Sequence, residues 1–242
     1  MKETRYFYAP DAPNTNVLPD DEAAHAVKVL RLKPGDDIML MDGCGTYSQA
    51  EVDTVSQRAC TYRIVETLPQ ERQWKPWLHL AIAPTKMIDR MEWLVEKATE
   101  LGVDEISFIE CQFSERRQLK LPRLEKIAVS AMKQSRKAWL PVINGMMPFK
   151  QFVETHDSGH RYLAHCYDDR PRQSLWNELN RSSVSPPQSP ILVMVGPEGD
   201  FSVCEVDAAL GAGFTPVDLG KSRLRTETAG LAAVMMMQLS QS

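Results

Sequence analysis

The stretch "GPEGDFSVCE", residues 196–205, follows the apolar run "ILVMV" (191–195) and places two glycines and a proline within four residues. A short apolar run that ends on such punctuation reads as a buried strand meeting a tight loop. The helix behind the loop has a defined start. Ser202 and Glu205 have the spacing of a capping box: the serine side chain accepts from the Glu205 amide, and the glutamate reaches back to the Ser202 amide. Phe201 and Val206 are spaced as a hydrophobic staple. The helix is expected to end near Gly211 or Gly213. Glycine lets a backbone approach a ligand closely, and ligands of open α/β sheets bind at the carboxyl ends of the strands. The loop Gly196-Pro197-Glu198-Gly199 therefore reads either as a ligand contact or as a plain connection. It carries no G-K-[ST] and no G-x-G-x-x-G, so phosphate cradling is not its obvious use.

A second turn, "LGKSRLRTETAG" (219–230), repeats the plan. Thr226 is placed to cap a helix whose first residue, Glu227, suits the positive end of the helix dipole. That helix, "ETAGLAAVMMMQL", is apolar on nearly every side, which predicts burial in a core or a subunit interface. Lys221, Arg223 and Arg225 crowd the loop before it. Basic residues at the ligand-binding edge of a sheet suit anion or substrate contacts.

Working outward, strands alternate with helices. "LHLAIA" (78–83), "EISFIE" (105–110), "RYLAHC" (161–166) and "PVDLG" (216–220) read as strands. "KMIDRMEWLVEKATELGV" (86–103) has one apolar helical face and Gly102 at the C-cap position, and "LPRLEKIAVSAMKQSRKAW" (121–139) reads as a second helix. This alternation predicts a parallel α/β sheet. Residues 1–70 instead predict a compact β-barrel of five or six short strands, with a short helix at "DDEAAHAVKVL" and a Gly-Cys-Gly turn. "PQERQWKP" (69–76) reads as the linker between domains at 1–70 and 77–242, and "RSSVSPPQSP" (181–190) as a flexible connection.

The chain has 242 residues, 43% hydrophobic and 25% charged, an ordinary globular composition. No apolar run reaches bilayer-spanning length and no signal peptide is evident, so a cytoplasmic protein without a membrane partner is expected. The five cysteines form no C-x-x-C pair; they are expected to be reduced and mostly structural, with no metal site. The net charge is −4. Between Glu115 and Lys137, however, eight basic side chains face two acidic ones. That local +6 leaves −10 for the remainder. Such a segment either docks a phosphate backbone or is a solvated helix face.

"VGPEGDFS", followed by "LGKSRLRTETA", resembles the RsmE family, the 16S rRNA uridine-N3 methyltransferases of the SPOUT superfamily. "HAVKVLRLKPGD" (25–36) resembles the family's N-terminal signature. "KMIDRMEWLVEKATELGV" is similar to its first long helix, and "FSERRQLK" with "AMKQSRKAWLPVI" to its central basic segment. The family more often has a second glycine where Asp200 stands, and an aliphatic residue where Ser222 stands. The resemblance implies an α/β fold: a C-terminal SPOUT-type knotted parallel-sheet methyltransferase domain preceded by a small PUA-like β-barrel that binds RNA. It implies that the two turns grip bent S-adenosylmethionine. The first contributes Gly196, Pro197, Glu198 and Gly199. The second contributes Leu219, Gly220, Leu224, Arg225 and Thr226. It also implies a homodimer acting on 16S rRNA in the small ribosomal subunit.

Methylating uracil N3 requires loss of its proton. A base must take it, or a cation must favour the anion. The N3 edge is the pairing edge, so the target must be unpaired or flipped. Arg225 and Arg136 are candidates to stabilise the anion. Glu198 and Glu227 are candidate bases, each with a structural alternative as loop anchor or helix-dipole partner. Arg31, Arg116, Arg117, Lys133 and Arg136 are candidate RNA contacts, with pairing to a nearby acid as the alternative for Arg31. His25 and His165 read as structural. A SPOUT ribose 2′-O-methyltransferase and a non-catalytic rRNA-binding assembly factor are the rival readings.

Overall fold

The computed structural model describes residues 4–181 and 189–241, and the chain forms two compact units. Residues 182–188 of the expected flexible connection lie outside the described residues. One unit comprises the chain up to Gln73 together with Val129–Leu140; the other comprises Trp74–Ala128 and Pro141 onward.

The first unit is a four-stranded sheet in the order β1 (Tyr6–Tyr8), β2 (Asp37–Met41), β3 (Thr46–Val55), β4 (Cys60–Pro69). β1 runs parallel to β2 and the other pairs are antiparallel. Four named strands thus stand where five or six were expected. The reason is length: β3 and β4 have ten residues each, and register shifts at Gln49/Ala50 and Val52/Val55 bend the pair. A bulged long strand can turn a sheet as two short ones would. The β2–β3 connection is the expected Gly43-Cys44-Gly45 turn, held by Asp42 Oδ1, which accepts from the Cys44 and Thr46 amides at 2.7 and 2.9 Å. "DDEAAHAVKV" forms α1 (Asp20–Ala24) and a π-helical turn over His25–Val29. Phe7, Leu18, Ile38, Leu40, Val52 and Tyr62 are buried beneath them.

Residues 129–140 join this unit through specific contacts. The Lys133 ammonium pairs with the buried Glu22 carboxylate. Tyr47 Oη donates to the Arg136 carbonyl at 2.6 Å. The Arg72 guanidinium lies 4.0 Å above the Trp139 ring. The helix that leads there, α3 (Leu121–Ser135), stops earlier than expected. Arg136 adopts φ 53°, a left-handed conformation that ends the helical run.

The second unit is a seven-stranded parallel sheet with helices on both faces. Its strands are β5 (Leu78–Ile82), β6 (Glu105–Glu110), β7 (Val142–Pro148), β8 (His160–Ala164), β9 (Gln173–Ser174), β10 (Ile191–Val195) and β11 (Thr215–Asp218). They lie in the order β7-β6-β5-β10-β8-β11-β9. β5 and β10 are buried along their whole length, which the unbroken apolar run of β10 reflects; in β5 the run is interrupted by the buried His79. On one face, α4 (Phe149–Thr155) and α6 (Val203–Gly211) pack Phe149, Phe152, Val206 and Ala209 against Ala81, Leu163, Leu192 and Met194. On the other, α2 (Ile88–Leu101) packs with α7 (Thr226–Leu239); α5 (Leu175–Arg181) also contacts α7. Gly230 sets the depth of that contact: a Cβ there would come within 2.9 Å of Ile82 and 3.1 Å of Leu94. Gly102 caps α2 in a left-handed conformation, as expected. Among the described residues, no helix is long and apolar enough to cross a membrane.

Candidate active site

β10 lies between β5 and β8, and β8 between β10 and β11. The loops that follow these strands therefore converge at one edge of the sheet. They enclose a cavity of about 460 Å³. Ala164, His165 and Cys166 after β8, Val195–Asp200 after β10, and Leu219, Ser222–Thr226 and Ala229 around the second turn line it. The two turns singled out in the sequence thus share one cavity. Eight of the nine expected cofactor contacts line it; Gly220, with φ 107°, stands just outside.

The first turn is built as the capping box requires. Ser202 Oγ accepts from the Glu205 amide at 3.3 Å, and Glu205 Oε2 accepts from the Ser202 amide at 2.7 Å. Gly196 leaves little room for a side chain, because a Cβ would lie 3.1 Å from both the ring and the amide nitrogen of Phe201. Three carboxylates of this segment reach out to the loops after neighbouring strands. Glu198 Oε1 accepts from the Lys86 amide at 3.0 Å, after β5. Glu205 Oε1 accepts from the Gln112 amide at 2.8 Å, after β6. Asp200 Oδ2 accepts from the Cys166 amide at 2.7 Å, after β8. The segment is thus the hub of the whole strand-end surface.

At the second turn, Asp218 Oδ1 accepts from the Gly220 amide at 2.9 Å. The helix cap differs by one residue from expectation. Arg225 occupies the N-cap in an extended conformation, and Thr226 is the first helical residue with no capping hydrogen bond from its side chain. Thr226 and Glu227 are buried, whereas Arg223 and Arg225 are exposed on the cavity rim, their side chains bonded to no other described residue.

Residues 72–238 match the RNA methyltransferase domain, and residues 18–55 match the RNA methyltransferase PUA domain. The chain is 32% identical to the ribosomal RNA small subunit methyltransferase E of Synechocystis, over 86% of this chain and 67% of that one. It belongs to the ribosomal RNA small subunit methyltransferase E family. Among solved structures, a probable rRNA-methyltransferase from Porphyromonas gingivalis is 43% identical, with a TM-score of 0.88 over 98% of each chain. A ribosomal RNA small subunit methyltransferase E from Neisseria gonorrhoeae, bound to S-adenosyl methionine, is 27% identical, with a TM-score of 0.83 over 98% of each chain. The expected fold, a parallel α/β domain after a small PUA-like module, is the fold found.

Within this methyltransferase, the remaining candidates separate. Glu198 lines the cavity, but one carboxylate oxygen anchors the Lys86 loop. Glu227 does not line it; Oε1 pairs with Arg90 at 3.4 Å, and Oε2 is buried with no partner among the described residues. Arg116 donates to the carbonyls of Thr85 and Lys86. Arg117 pairs with Glu110 and stays exposed. Arg31, with φ 51°, is exposed and pairs with no acid among the described residues. Lys133 and Arg136 belong to the first unit, where the Arg136 guanidinium lies 5.4 Å from the Tyr6 ring centroid. His25 is exposed, not buried as a structural histidine would be.

Sequence reasoning assigned His165 to packing. It is buried but lines the cavity, with Nδ1 accepting from the Tyr167 amide at 3.3 Å and burial holding it below the ordinary imidazole range. Its place at the end of "RYLAHC" was the signal available. Arg223, expected as a basic contact of the second turn, lines the wall, and so do Asp200 and Cys166, for which the sequence suggested no site role. All five cysteines are free; Cys60 and Cys111 are buried, but Cys44, Cys166 and Cys204 are exposed, so the structural expectation holds for only two.

Proposed function

We propose that this chain transfers the methyl group of S-adenosylmethionine to N3 of one uridine in the 16S rRNA of the small ribosomal subunit. The observation that carries the reading is the single cavity walled by both turns at the carboxyl ends of β10, β8 and β11. The residues fit the cofactor. Gly196, Pro197 and Gly199 offer backbone without bulk on one side, and Leu219, Leu224 and Thr226 offer an apolar and backbone wall on the other. Bound S-adenosylmethionine supplies an electrophilic methyl on its sulfonium.

The protein's part is to hold the uracil edge and to make its anion affordable. Arg225 and Arg223 stand on the cavity rim without partners, placed to favour negative charge on the uracil oxygens. A guanidinium with no other ion pair to break is free to turn onto the uracil oxygens, and positioning contributes much of the remaining acceleration. Glu198 serves chiefly as an anchor. Arg31, Arg117 and Arg136 contact rRNA phosphates, while Lys133 and Arg116 hold the elements that present them.

We infer further that the protein works as a homodimer in the cytoplasm. α7 leaves Met235 and Leu239 38% and 46% exposed, and Trp93 on the adjoining α2 is 44% exposed. These side chains suit a second copy of the chain. The return of α7 from β11 to α2 and β5 is also the segment that closes the trefoil knot the resemblance implies.

The test is mass-spectrometric mapping of methylated nucleosides in 16S rRNA from cells with and without the gene. Loss of one 3-methyluridine supports the reading. Loss of a 2′-O-methyl group instead would move the protein to the ribose class, and no loss would leave it a binding factor.

A further inference from the structure

β8 and β10 are paired in register up to Ala164 and Val195. Beyond that pair the two chains part, and the cavity opens in the fork. Regular ladder hydrogen bonds no longer set the width of the fork, so something else must. Asp200 spans it. Oδ2 accepts from the Cys166 amide on one side at 2.7 Å, and Oδ1 accepts from the Phe201 amide on its own side at 2.8 Å. The Asp200 amide donates to the Pro197 carbonyl at 2.9 Å, closing the turn. Both Asp200 and Cys166 line the cavity.

The conformation is unusual for the residue. Asp200 has φ 66°, one of three non-glycine positive values among the described residues. Glycine would adopt it at no steric cost; aspartate tolerates it because its short side chain bonds locally. A residue that accepts this conformation and also makes a link 34 positions away in sequence is doing what glycine cannot. The Tyr167 hydroxyl, donating to the Phe201 carbonyl at 2.8 Å, ties the same loops a step further out.

We propose that Asp200 is a positioning residue that fixes the fork between the two loops and thereby sets the affinity of the cavity for S-adenosylmethionine. The proposal rests on the reading of this cavity as the cofactor site. Asp200 acts by holding the Cys166 segment, and with it the buried His165, at a fixed distance from the Gly196 turn. Its charge is not required, only an acceptor oxygen on a short side chain.

The test compares the full-length chain with Asp200→Gly and Asp200→Asn. Glycine suits φ 66° and should fold, with a melting temperature within a few degrees of wild type. Asparagine also tolerates that conformation and keeps its one acceptor oxygen for the Cys166 amide, giving up the local bond from the Phe201 amide, which its NH2 cannot accept. In calorimetry with S-adenosylmethionine, D200G should bind roughly tenfold more weakly, and D200N within about threefold of wild type. The KM for S-adenosylmethionine should rise with D200G while kcat changes less than about twofold. Hydrogen exchange should find the Cys166 amide protected in wild type and D200N and unprotected in D200G. Wild-type affinity in D200G overturns the proposal, as does equal weakening in D200N with the Cys166 amide still protected, since the link would then be intact without setting affinity; equal weakening with that amide unprotected in both variants supports it. If wild type fails to bind, the cofactor reading falls and the proposal with it.

Discussion

The Lys86 amide donates to Glu198 Oε1 at 3.0 Å, while the Lys86 carbonyl accepts from the Arg116 guanidinium. One residue's backbone is thus held from both sides, by a residue of the Gly196–Asp200 turn and by a residue of the basic segment. The arrangement distinguishes two roles for Glu198. As an anchor it needs an acceptor oxygen; as a general base it needs a carboxylate. Glu198→Gln is therefore expected to keep methyl transfer within about fivefold, and Glu198→Ala to lower it by one hydrogen bond's worth, about tenfold. A collapse of more than about a hundredfold in E198Q, read by single-turnover transfer to small subunits, would make Glu198 the base instead.

The first glycine of the turn is closely packed, with a Cβ there 3.1 Å from Phe201. Gly196→Val would drive a branched Cβ against Phe201, the residue that staples α6 to the sheet. S-adenosylmethionine binding is expected to be lost in calorimetry, with the PUA-like unit still folded. Gly220 makes a milder case. Nothing lies within 4 Å of a Cβ there, but φ 107° disfavours any L side chain. Gly220→Ala should weaken binding by only about 1 kcal/mol of backbone strain.

How much of this was readable in the sequence follows from where each signal resides. β10 is an unbroken apolar run with punctuation on both sides and β6 a short run flanked by Glu105 and Glu110, and the ends of both are legible to the residue. The Ser202–Glu205 box was legible because its chemistry is local. β7 and α4, in "VINGMMPFKQFVET", were not: the strand is half-exposed at the sheet edge and carries Gly145, and the helix is only seven residues long. The short pair β9 and α5 escaped for the same reason. The passage of residues 129–140 into the first unit depends on Glu22 and Trp139, far apart in sequence, and no periodicity reports it. Nor does any local pattern reveal that Asp200 reaches Cys166 or that Arg116 binds carbonyls. Residue type suggested RNA contact for Arg116, whereas three-dimensional partners decide it.

His79 predicts the pH response of stability. It lies buried on β5 with Nε2 2.8 Å from Ser107 Oγ and 3.7 Å from Glu105, and its ring centroid is 5.4 Å from that of His156. Burial pushes it down to about 4 from an ordinary 6.5; Glu105 opposes the shift and His156 adds to it. Because the folded value is depressed, the unfolded chain binds the extra proton first as pH falls. Stability from this group is present above pH 6.5, declines below it and is gone below about pH 4, a loss of about 3 kcal/mol. Urea unfolding of wild type and His79→Gln at pH 7 and pH 5 checks it. The variant should show a shallower pH dependence, and parallel curves would remove His79 as the cause.

Among the basic residues, burial separates those that hold the fold from those available to RNA. The Lys133 side chain is 23% exposed and its partner Glu22 only 9%. Lys133→Ala leaves a buried carboxylate without a counter-charge, which costs about 3 kcal/mol. The expected result is a lower urea midpoint. Arg117 is 60% exposed, and its pair with Glu110 contributes little to stability. Arg31 pairs with no acid among the described residues. Arg31→Ala and Arg117→Ala should therefore leave the urea midpoint unchanged. Each should weaken binding to small subunits and lower the slope of log affinity against log salt by about one unit, the signature of a lost phosphate contact. S-adenosylmethionine affinity should stay constant in both, since neither residue lines the cavity. If the salt slopes of both variants match wild type, these arginines are solvated side chains and the rRNA is held elsewhere.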